Sequence, residues 1–206
     1  MSYLWTHSGE VLTLLWQHLT MTGLALTIAI VIAVPLALLV SRLRWLSLPI
    51  LGGLGVIYTI PSLALIIFLV PIFGLNARSV IVAMVLYTQV ILVRNLTVGL
   101  AGLNPAILEA ARGMGMTPWQ RWWQVQVPLV LPVFVAGVRI AAIVAIAIAT
   151  IGAKFNAGGL GKLLFDGIQT NRYDKIVAGS IAVAALALAI NALLMGLEHR
   201  SQRRRT

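Results

Sequence analysis

Long apolar runs alternate with short polar stretches along the chain, and several runs are long enough to cross a bilayer. A membrane-spanning helix needs about 20 mostly apolar residues. The pattern predicts five spans, at residues 20–40, 46–73, 79–103, 127–151 and 176–197. Because the second run contains Pro49, Pro61 and Pro71, we expect it to be tilted or broken near Pro61. The predicted fold class is an all-α membrane protein with a five-span helical core.

The segments between the spans differ in charge, which orients the bundle. Cytoplasmic loops of membrane proteins carry an excess of Lys and Arg. With the N-terminus outside, the larger basic group falls inside: Arg42, Arg44, Arg112, Arg121, Arg200, Arg203, Arg204 and Arg205. The smaller group falls outside, mixed with two aspartates: Arg78, Lys154, Lys162, Arg172 and Lys175. We therefore expect an outer segment at 1–19, an inner loop at 104–126, an outer segment at 152–175 and an inner basic tail at 198–206.

The composition excludes several other classes of protein. Hydrophobic residues make up 60% of the chain and charged residues 10%, whereas soluble domains carry about 25% charged residues. The net charge of +10 is therefore assigned to loops beside spans rather than to nucleic-acid binding. Cysteine is absent and the three histidines lie near the ends, so we expect no metal, no bound cofactor and no catalytic residue. The first arginine is Arg42, which argues against a cleaved signal peptide.

The polar loop between the third and fourth spans has the pattern of a helix, a glycine turn and a second helix. Asn104 can cap the first helix and Pro105 suits its first position. Gly113 and Gly115 can end it in a left-handed conformation. Thr117 and Gln120 have the spacing of a capping box for the second helix. Taken alone, these features also fit a plain interfacial helix pair that only joins two spans.

The two loop helices differ in side-chain character. Ala110 and Ala111 leave one surface of the first helix small, and Glu109 and Arg112 can pair on it. The second helix carries residues suited to the membrane–water boundary: Trp119, Trp122 and Trp123.

A longer pattern runs through this loop into the fourth span. It reads Glu-Ala-Ala, three residues, Gly, nine residues, an aliphatic residue, any residue, an aliphatic residue and Pro. Here these positions are Glu109, Ala110, Ala111, Gly115, Val125, Val127 and Pro128. The pattern resembles the cytoplasmic loop of binding-protein-dependent ABC transporter permeases, which usually have Ile and Leu in place of the two valines. The resemblance implies a coupling helix that docks on an ATPase subunit: Glu109, Ala110, Ala111, Arg112, Gly113 and Gly115.

Further segments resemble the branch of that family which imports quaternary-amine osmoprotectants, such as glycine betaine, carnitine and choline. They read YTIPSLALIIFLVPIFG, VRNLTVGL, AGVRIA and NAGGLGKLLFDGI. The resemblance implies a non-catalytic permease subunit of an ATP-driven importer in the bacterial plasma membrane. Its implied partners are an ABC ATPase that holds the ATP, an extracytoplasmic substrate-binding protein and a second permease, identical or homologous. A permease for another solute, such as an amino acid, stays open. An ion-gradient-driven transporter is disfavoured because the predicted spans carry no acidic residue.

The outer segment at 152–175 has the pattern of a short amphipathic helix. Its apolar stripe consists of Leu160, Leu163, Leu164, Phe165 and Ile168. The polar candidates for docking a binding protein are Lys162, Asp166, Gln169 and Arg172. A simple lid over the bundle is the alternative. The GGLGK sequence is not a phosphate loop, because Leu163 follows its lysine and Asn156 stands at the first glycine position.

Polar residues near Pro61 are candidates for a translocation path. A proline inside a span frees a backbone carbonyl, which can line a polar path or simply accompany a packing kink. The resemblance places the path along this span. The candidates are Tyr58, Thr59, Pro61, Ser62, Tyr87 and Gln89.

Two arginines fall inside apolar runs. Arg94 can reach the inner interface with its long side chain. Arg139 lies deeper, and we expect no ion pair for it within this chain because the predicted spans lack acidic residues. A structural role is favoured over substrate contact. The fifth span also offers small residues that would let helices pack closely within or between chains: Ala178, Gly179, Ala182, Ala185 and Ala189.

Overall fold

The computed structural model describes residues 2–203, and every regular element in that range is a helix. The first two are α1 (Ser2–Thr6) and α2 (Ser8–Arg42). At about 1.5 Å per residue, the 35 residues of α2 extend over about 52 Å. This exceeds the hydrocarbon core of about 30 Å, so α2 projects beyond the membrane.

The N-terminal part of α2 is helical where the hydropathy pattern placed the start of the span only near residue 20. The added turns carry their own apolar contacts, because Leu14 is buried in a cluster with Leu160 and Leu163 of the outer segment. Hydropathy does not locate the start of α2, because the polar residues Gln17 and His18 interrupt the apolar run although the helix continues through them.

An alanine stripe lets the middle of α2 approach the bundle closely. Four alanines at intervals of four residues form one helical face, and each is almost completely buried: Ala25, Ala29, Ala33 and Ala37. Small side chains at such a spacing bring two helix backbones together. The partner helix is mainly α5, with α8 beside it.

The second span is broken, as the prolines predict. A short 3-10 turn at Arg44–Leu46 leads into α3 (Ser47–Thr59), and α4 (Ser62–Phe73) follows. The two helices are bent by 98° relative to each other. Ile60 and Pro61 are both extended at the break, with ψ angles of 126° and 134°.

The next elements are α5 (Ala77–Ala101), α6 (Pro105–Gly113), α7 (Pro118–Arg121) and α8 (Val127–Gly152). A π-helical segment at Trp122–Gln126 joins α7 to α8 without a break. Pro128 lacks an N–H and its ring crowds the carbonyl four residues earlier, so a wider turn relieves the clash. The fourth span is therefore continuous with the loop helix instead of beginning afresh at Pro128.

The remaining helices are α9 (Gly161–Gln169) and α10 (Tyr173–Arg203). A 3-10 turn at Ala153–Phe155 leads from α8 towards α9. The predicted amphipathic helix is present, with Leu160 and Leu163 fully buried, but Ile168 is 58% exposed and does not belong to the buried stripe. Arg204 and Arg205 of the predicted basic tail lie outside the described residues.

The core is built around α5, which packs against α2, α3, α4 and α8. Four helices of the described chain are long and apolar enough to cross a membrane, and the bent α3–α4 pair makes a fifth span when counted as one. The predicted all-α, five-span architecture is thus confirmed.

The structure contradicts one expectation about the spans, because Arg139 does form an ion pair within the chain. Its Nε atom lies 3.3 Å from Oε2 of Glu198, and Nη1 donates to Oδ1 of Asn191 at 3.4 Å. The sequence pattern ended the fifth span at residue 197, whereas α10 continues to Arg203. This continuation carries the carboxylate of Glu198 to the arginine on α8.

Candidate functional site

The α6 helix lies at one end of the bundle, where a cap fixes its N-terminus and one side of it faces the rest of the chain. Asn104 is extended and its Oδ1 accepts from the backbone N–H of Ala106 at 3.0 Å, with Pro105 at the first helical position. Both predicted start signals are thus confirmed. The helix touches the rest of the chain through Leu108, which is half-buried, and Ala111, which is 2% exposed. These two residues are three apart and face the same way.

The opposite face of α6 is free in this chain. Glu109 and Ala110 are exposed there, and Arg112, which follows Leu108 by four residues, is exposed at the flank of that face. Within the described chain no ion pair joins Glu109 to Arg112, so the pairing that their spacing allows is not made. Two large apolar side chains add to the same exposed region: Ile107 is 42% and Met114 is 71% exposed. Neither residue was among the predicted docking residues, and their signal in the sequence is an apolar side chain in an otherwise polar loop.

The glycine turn after α6 uses only one of its two glycines in a left-handed conformation. Gly115 has a φ of 76°, whereas Gly113 closes the last turn of the helix. The N–H of Met116 donates to the carbonyl of Ala111 at 3.2 Å, and that of Gly115 to Arg112 at 2.9 Å. These are the two hydrogen bonds of a Schellman motif, which satisfies the last carbonyls of a helix.

The second loop helix is fixed by the predicted capping box. The N–H of Gln120 donates to Oγ1 of Thr117 at 3.3 Å, and the N–H of Thr117 donates to Oε1 of Gln120 at 2.8 Å. Trp119 and Trp123 stack edge to face with ring centroids 5.5 Å apart and are 70% and 51% exposed. The loop is therefore a defined shape, with α6 presented at one end of the bundle.

The break between α3 and α4 exposes polar backbone within an apolar span. The N–H of Ile60 donates to the carbonyl of Ile57 at 3.2 Å, and that of Leu65 to Pro61 at 3.0 Å. Among the described residues no backbone N–H donates to the carbonyls of Tyr58, Thr59 and Ile60, and all three residues are exposed. Unwound backbone at this depth is tolerated where it is buried in protein or lines a water-filled cavity.

The side chains predicted to line a path divide into two groups. Tyr58 is 43% exposed and lies 5.4 Å, centroid to centroid, from Tyr87, which is only 7% exposed. Ser62 is half-buried beside the break. Gln89 instead points into the bundle: it is 4% exposed, and its Nε2 donates to the carbonyl of Ala29 at 3.0 Å. The structure thus gathers Tyr58, Thr59, Pro61, Ser62 and Tyr87 near the break, while Gln89 connects α5 to α2.

The outer segment is connected to the N-terminal helices by a polar cluster. Lys175 Nζ lies 3.3 Å from Oδ2 of Asp166 and 3.9 Å from Oε1 of Glu10. The hydroxyl of Tyr3 donates to Oε2 of Glu10 at 3.0 Å. Burial is the main cause that raises the pKa of Tyr3 above its ordinary value, and the Glu10 hydrogen bond adds to it.

The four predicted docking residues differ in their availability. Lys162 and Gln169 are exposed, and Lys162 makes no ion pair within the described chain. Arg172 is exposed but pairs with Asp174 at 2.8 Å. Asp166 is half-buried and already engaged by Lys175.

Comparison with known proteins gives a consistent result. Residues 14–206 match the family described as "Binding-protein-dependent transport system inner membrane component". The osmoprotectant import permease protein OsmW of Salmonella typhimurium is 38% identical, over 95% of this chain and 94% of that protein. The carnitine transport permease protein OpuCB of Listeria monocytogenes is 37% identical, over 90% of this chain and 85% of that protein.

A third relative and two solved structures extend the comparison. The glycine betaine/carnitine/choline transport system permease protein OpuCB of Bacillus subtilis is 32% identical, over 97% of this chain and 92% of that protein. An inward-facing structure of the MetNI methionine ABC transporter superposes with a TM-score of 0.81 at 21% identity, over 94% of this chain and 97% of that one. The structure of an amino acid ABC transporter with histidines superposes with a TM-score of 0.74 at 20% identity, over 98% of this chain and 96% of that one. These two structures share the fold.

Proposed function

This chain belongs to the family of binding-protein-dependent transport system inner membrane components, and from that premise we propose that the solutes it carries are quaternary-amine osmoprotectants. It is a multi-pass permease subunit of an ABC importer in the bacterial inner membrane. The substrate class is supported by relatives that are 32–38% identical over most of the chain and are named for osmoprotectants, carnitine, glycine betaine and choline. ATP is bound and hydrolysed by a separate ATPase subunit, and the permease performs no chemistry.

The geometry that carries the importer function is the exposed face of α6. A short helix anchored by Leu108 and Ala111, with small, apolar and charged side chains facing away from its own bundle, is suited to insertion into a groove of another subunit. Ile107 and Met114 would supply the buried apolar contact, and Glu109 and Arg112 the polar rim. We assign this face to the ATPase, so that ATP-driven motion of the ATPase is passed through α6 to α5 and α8.

The translocation path is proposed to follow the break between α3 and α4. A quaternary ammonium ion cannot donate a hydrogen bond, so it is stabilised by carbonyl dipoles and by aromatic faces. Both are present at the break, as the free carbonyls of residues 58–60 and the exposed ring of Tyr58. Broken helices whose unwound carbonyls coordinate a cation are a recurrent feature of transporter sites.

Two further partners complete the proposal. An extracytoplasmic binding protein delivers the solute and selects it through an aromatic cage, and it docks on the exposed part of α9 around Lys162 and Gln169. A second permease, identical or homologous, closes the path from the other side. The N-terminus is placed outside and the C-terminus in the cytoplasm, supported by the asymmetry of Lys and Arg.

Uptake by the reconstituted complex tests the substrate class. Permease, ATPase and binding protein are placed in proteoliposomes containing ATP, and uptake of glycine betaine, carnitine and choline is compared with that of methionine and histidine. We expect ATP-dependent uptake of at least one quaternary amine, unaffected by an ionophore. Uptake of an amino acid alone would point to the alternative solute, and ionophore-sensitive uptake without ATP would point to a secondary transporter.

A further inference from the structure

A large cavity lies at the end of the bundle that carries α6. Its volume is about 1000 Å³, and it is open on one side. It is lined by the end of α2, the turn leading into α3, the end of α5, α6, and α7 with the following π segment. It lies on the bundle side of α6, because Pro105 and Leu108 line it while Glu109 and Ala110 do not. The cavity is therefore separate from the face of α6 assigned to the ATPase.

The cavity is positively charged. Arg42, Arg44 and Arg121 line it, and no Asp or Glu is among its lining residues. Within the described residues none of the three arginines takes part in an ion pair. Arg121 donates from Nη1 to the carbonyl of Met116 at 3.4 Å, which leaves most of its donors free. Three uncompensated guanidinium groups around one cavity favour an anion, and their planar forks match a phosphate in particular.

The same cavity has an apolar lining contributed by the spans. Leu38 of α2 and Leu100 of α5 line the cavity and are half-buried, so they present apolar surface to an occupant. The indoles of Trp119 and Trp122 complete the rim, where such rings lie at headgroup level and keep their N–H in a polar environment. A free phosphate ion needs no apolar wall. A ligand that is anionic at one end and apolar along its length uses both features.

We propose that this cavity binds the headgroup of an anionic phospholipid, with the phosphate among Arg42, Arg44 and Arg121 and the acyl chains along α2 and α5. Basic pockets between spans at a membrane surface are suited to such headgroups. The lipid would contact five parts of the chain, including the base of α6, independently of which solute is transported. The assignment uses only residues of this chain and needs no second permease.

Native mass spectrometry of the full-length, delipidated permease tests the proposal. The protein is titrated with phosphatidylglycerol and with phosphatidylcholine of identical acyl chains. We expect preferential binding of phosphatidylglycerol. In the triple variant Arg42→Gln/Arg44→Gln/Arg121→Gln this affinity should fall on the order of a hundredfold, at roughly fivefold per arginine. The matched control Arg78→Gln/Arg94→Gln/Arg200→Gln loses the same charge at exposed positions outside the cavity and should retain the affinity.

Further variants keep the test decisive if the triple variant does not fold. Arg44 is exposed in a short turn, so Arg44→Gln alone should fold and weaken binding roughly fivefold. Equal loss of affinity in the control triple, or wild-type affinity in Arg44→Gln and in the triple variant, would overturn the site. Binding of inorganic phosphate as tightly as the intact lipid would also overturn it in favour of a soluble anion. Loss of ATPase co-purification with unchanged lipid binding would assign the arginines to the ATPase instead.

Discussion

At the residue scale, Gly113 and Gly115 offer a matched comparison. A Cβ at Gly115 would meet no atom within 4 Å, yet its φ of 76° is one that L-residues rarely adopt; Gly113 has equal space and an ordinary helical conformation. Gly115→Ala should therefore destabilise the loop by roughly 1–2 kcal/mol and weaken ATPase association, while Gly113→Ala should not. Thermal unfolding in detergent and ATPase co-purification measure both effects. Equal behaviour of the two variants would contradict the role of the Schellman turn.

The bridge between Arg139 and Glu198 makes a second residue-scale prediction. The side chains of Arg139 and Glu198 are 29% and 17% exposed, so the pair is neither fully exposed nor fully buried. Exposed ion pairs contribute about 0–1 kcal/mol to stability, whereas breaking a buried pair costs about 3–5 kcal/mol. Glu198→Gln should destabilise the protein by about 1–2 kcal/mol. In a double-mutant cycle with Arg139→Gln, the double variant should lose less than the sum of the single variants. The Arg172–Asp174 pair, which is 52% and 43% exposed, is the control and should show little coupling. Strict additivity at Arg139 and Glu198 would mean that the bridge does not stabilise the fold.

The ion pair between Arg139 and Glu198 could not be predicted from the sequence, whereas the helix caps could. Both charged residues were visible, but hydropathy ended the fifth span just before Glu198, so the arginine was left without a partner. The capping residues Asn104, Thr117 and Gln120 were predictable because capping depends on neighbours within four residues. A contact between residues 139 and 198 depends on how two helices are aligned, which no local pattern records.

At the element scale, α6 has one face for its own bundle and one for a partner. Ala110→Arg adds a long charged side chain to the exposed face and should abolish ATPase association and uptake while the permease still inserts. Gln124→Arg, exposed on the π segment outside α6, is the control and should associate normally. Co-purification from membranes measures the outcome. A normal yield of ATPase with Ala110→Arg would show that the partner does not bind this face.

The neighbouring alanine should behave differently, because Ala111 is 2% exposed. Ala111→Arg forces a charge against the bundle, so we expect loss of thermal stability before any specific loss of docking. The Glu-Ala-Ala pattern alone treats the two alanines as equivalent. Helical periodicity distinguishes Ala110 from Ala111 only once it is known which side of α6 faces the bundle.

The π segment was likewise not predictable from the sequence, because Pro128 is compatible with a break in the helix or with a widened turn.

At the scale of the whole molecule, the topology can be tested directly because the chain contains no cysteine. Single cysteines at Ser8, Gln169 and His199 are all placed on exposed positions. An impermeant maleimide applied to intact spheroplasts should label positions 8 and 169, while position 199 should react only after permeabilisation. The opposite pattern would invert the bundle and exchange the assignments of α6 and α9.

The permease is also expected to work as a pair. One chain presents one α6, whereas ABC ATPases, as the family implies, share their catalytic sites between two subunits. Large apolar side chains project from the broken span, with Leu48 83%, Phe68 73% and Ile72 67% exposed. The stripe of small residues in α10 is divided, since Ala178 and Gly179 are buried and Ala185 and Ala189 are exposed. Native mass measurement of the transport-active complex should find two permease chains, and their masses will distinguish identical from different partners. An active assembly with a single permease would refute the pairing.

The contact between α1 and α10 has a consequence for how the protein is made. These first and last helices of the described chain meet at the predicted outer end, where Glu10 of α2, Asp166 of α9 and Lys175 of α10 come together. During translation, the N-terminal helices leave the ribosome long before α10 exists. Glu10 therefore has no contact with Lys175 until the last helix has entered the bilayer. This cluster can form only after α10 has been inserted, so a nascent chain truncated before residue 173 should stay open to proteases at its N-terminal turns.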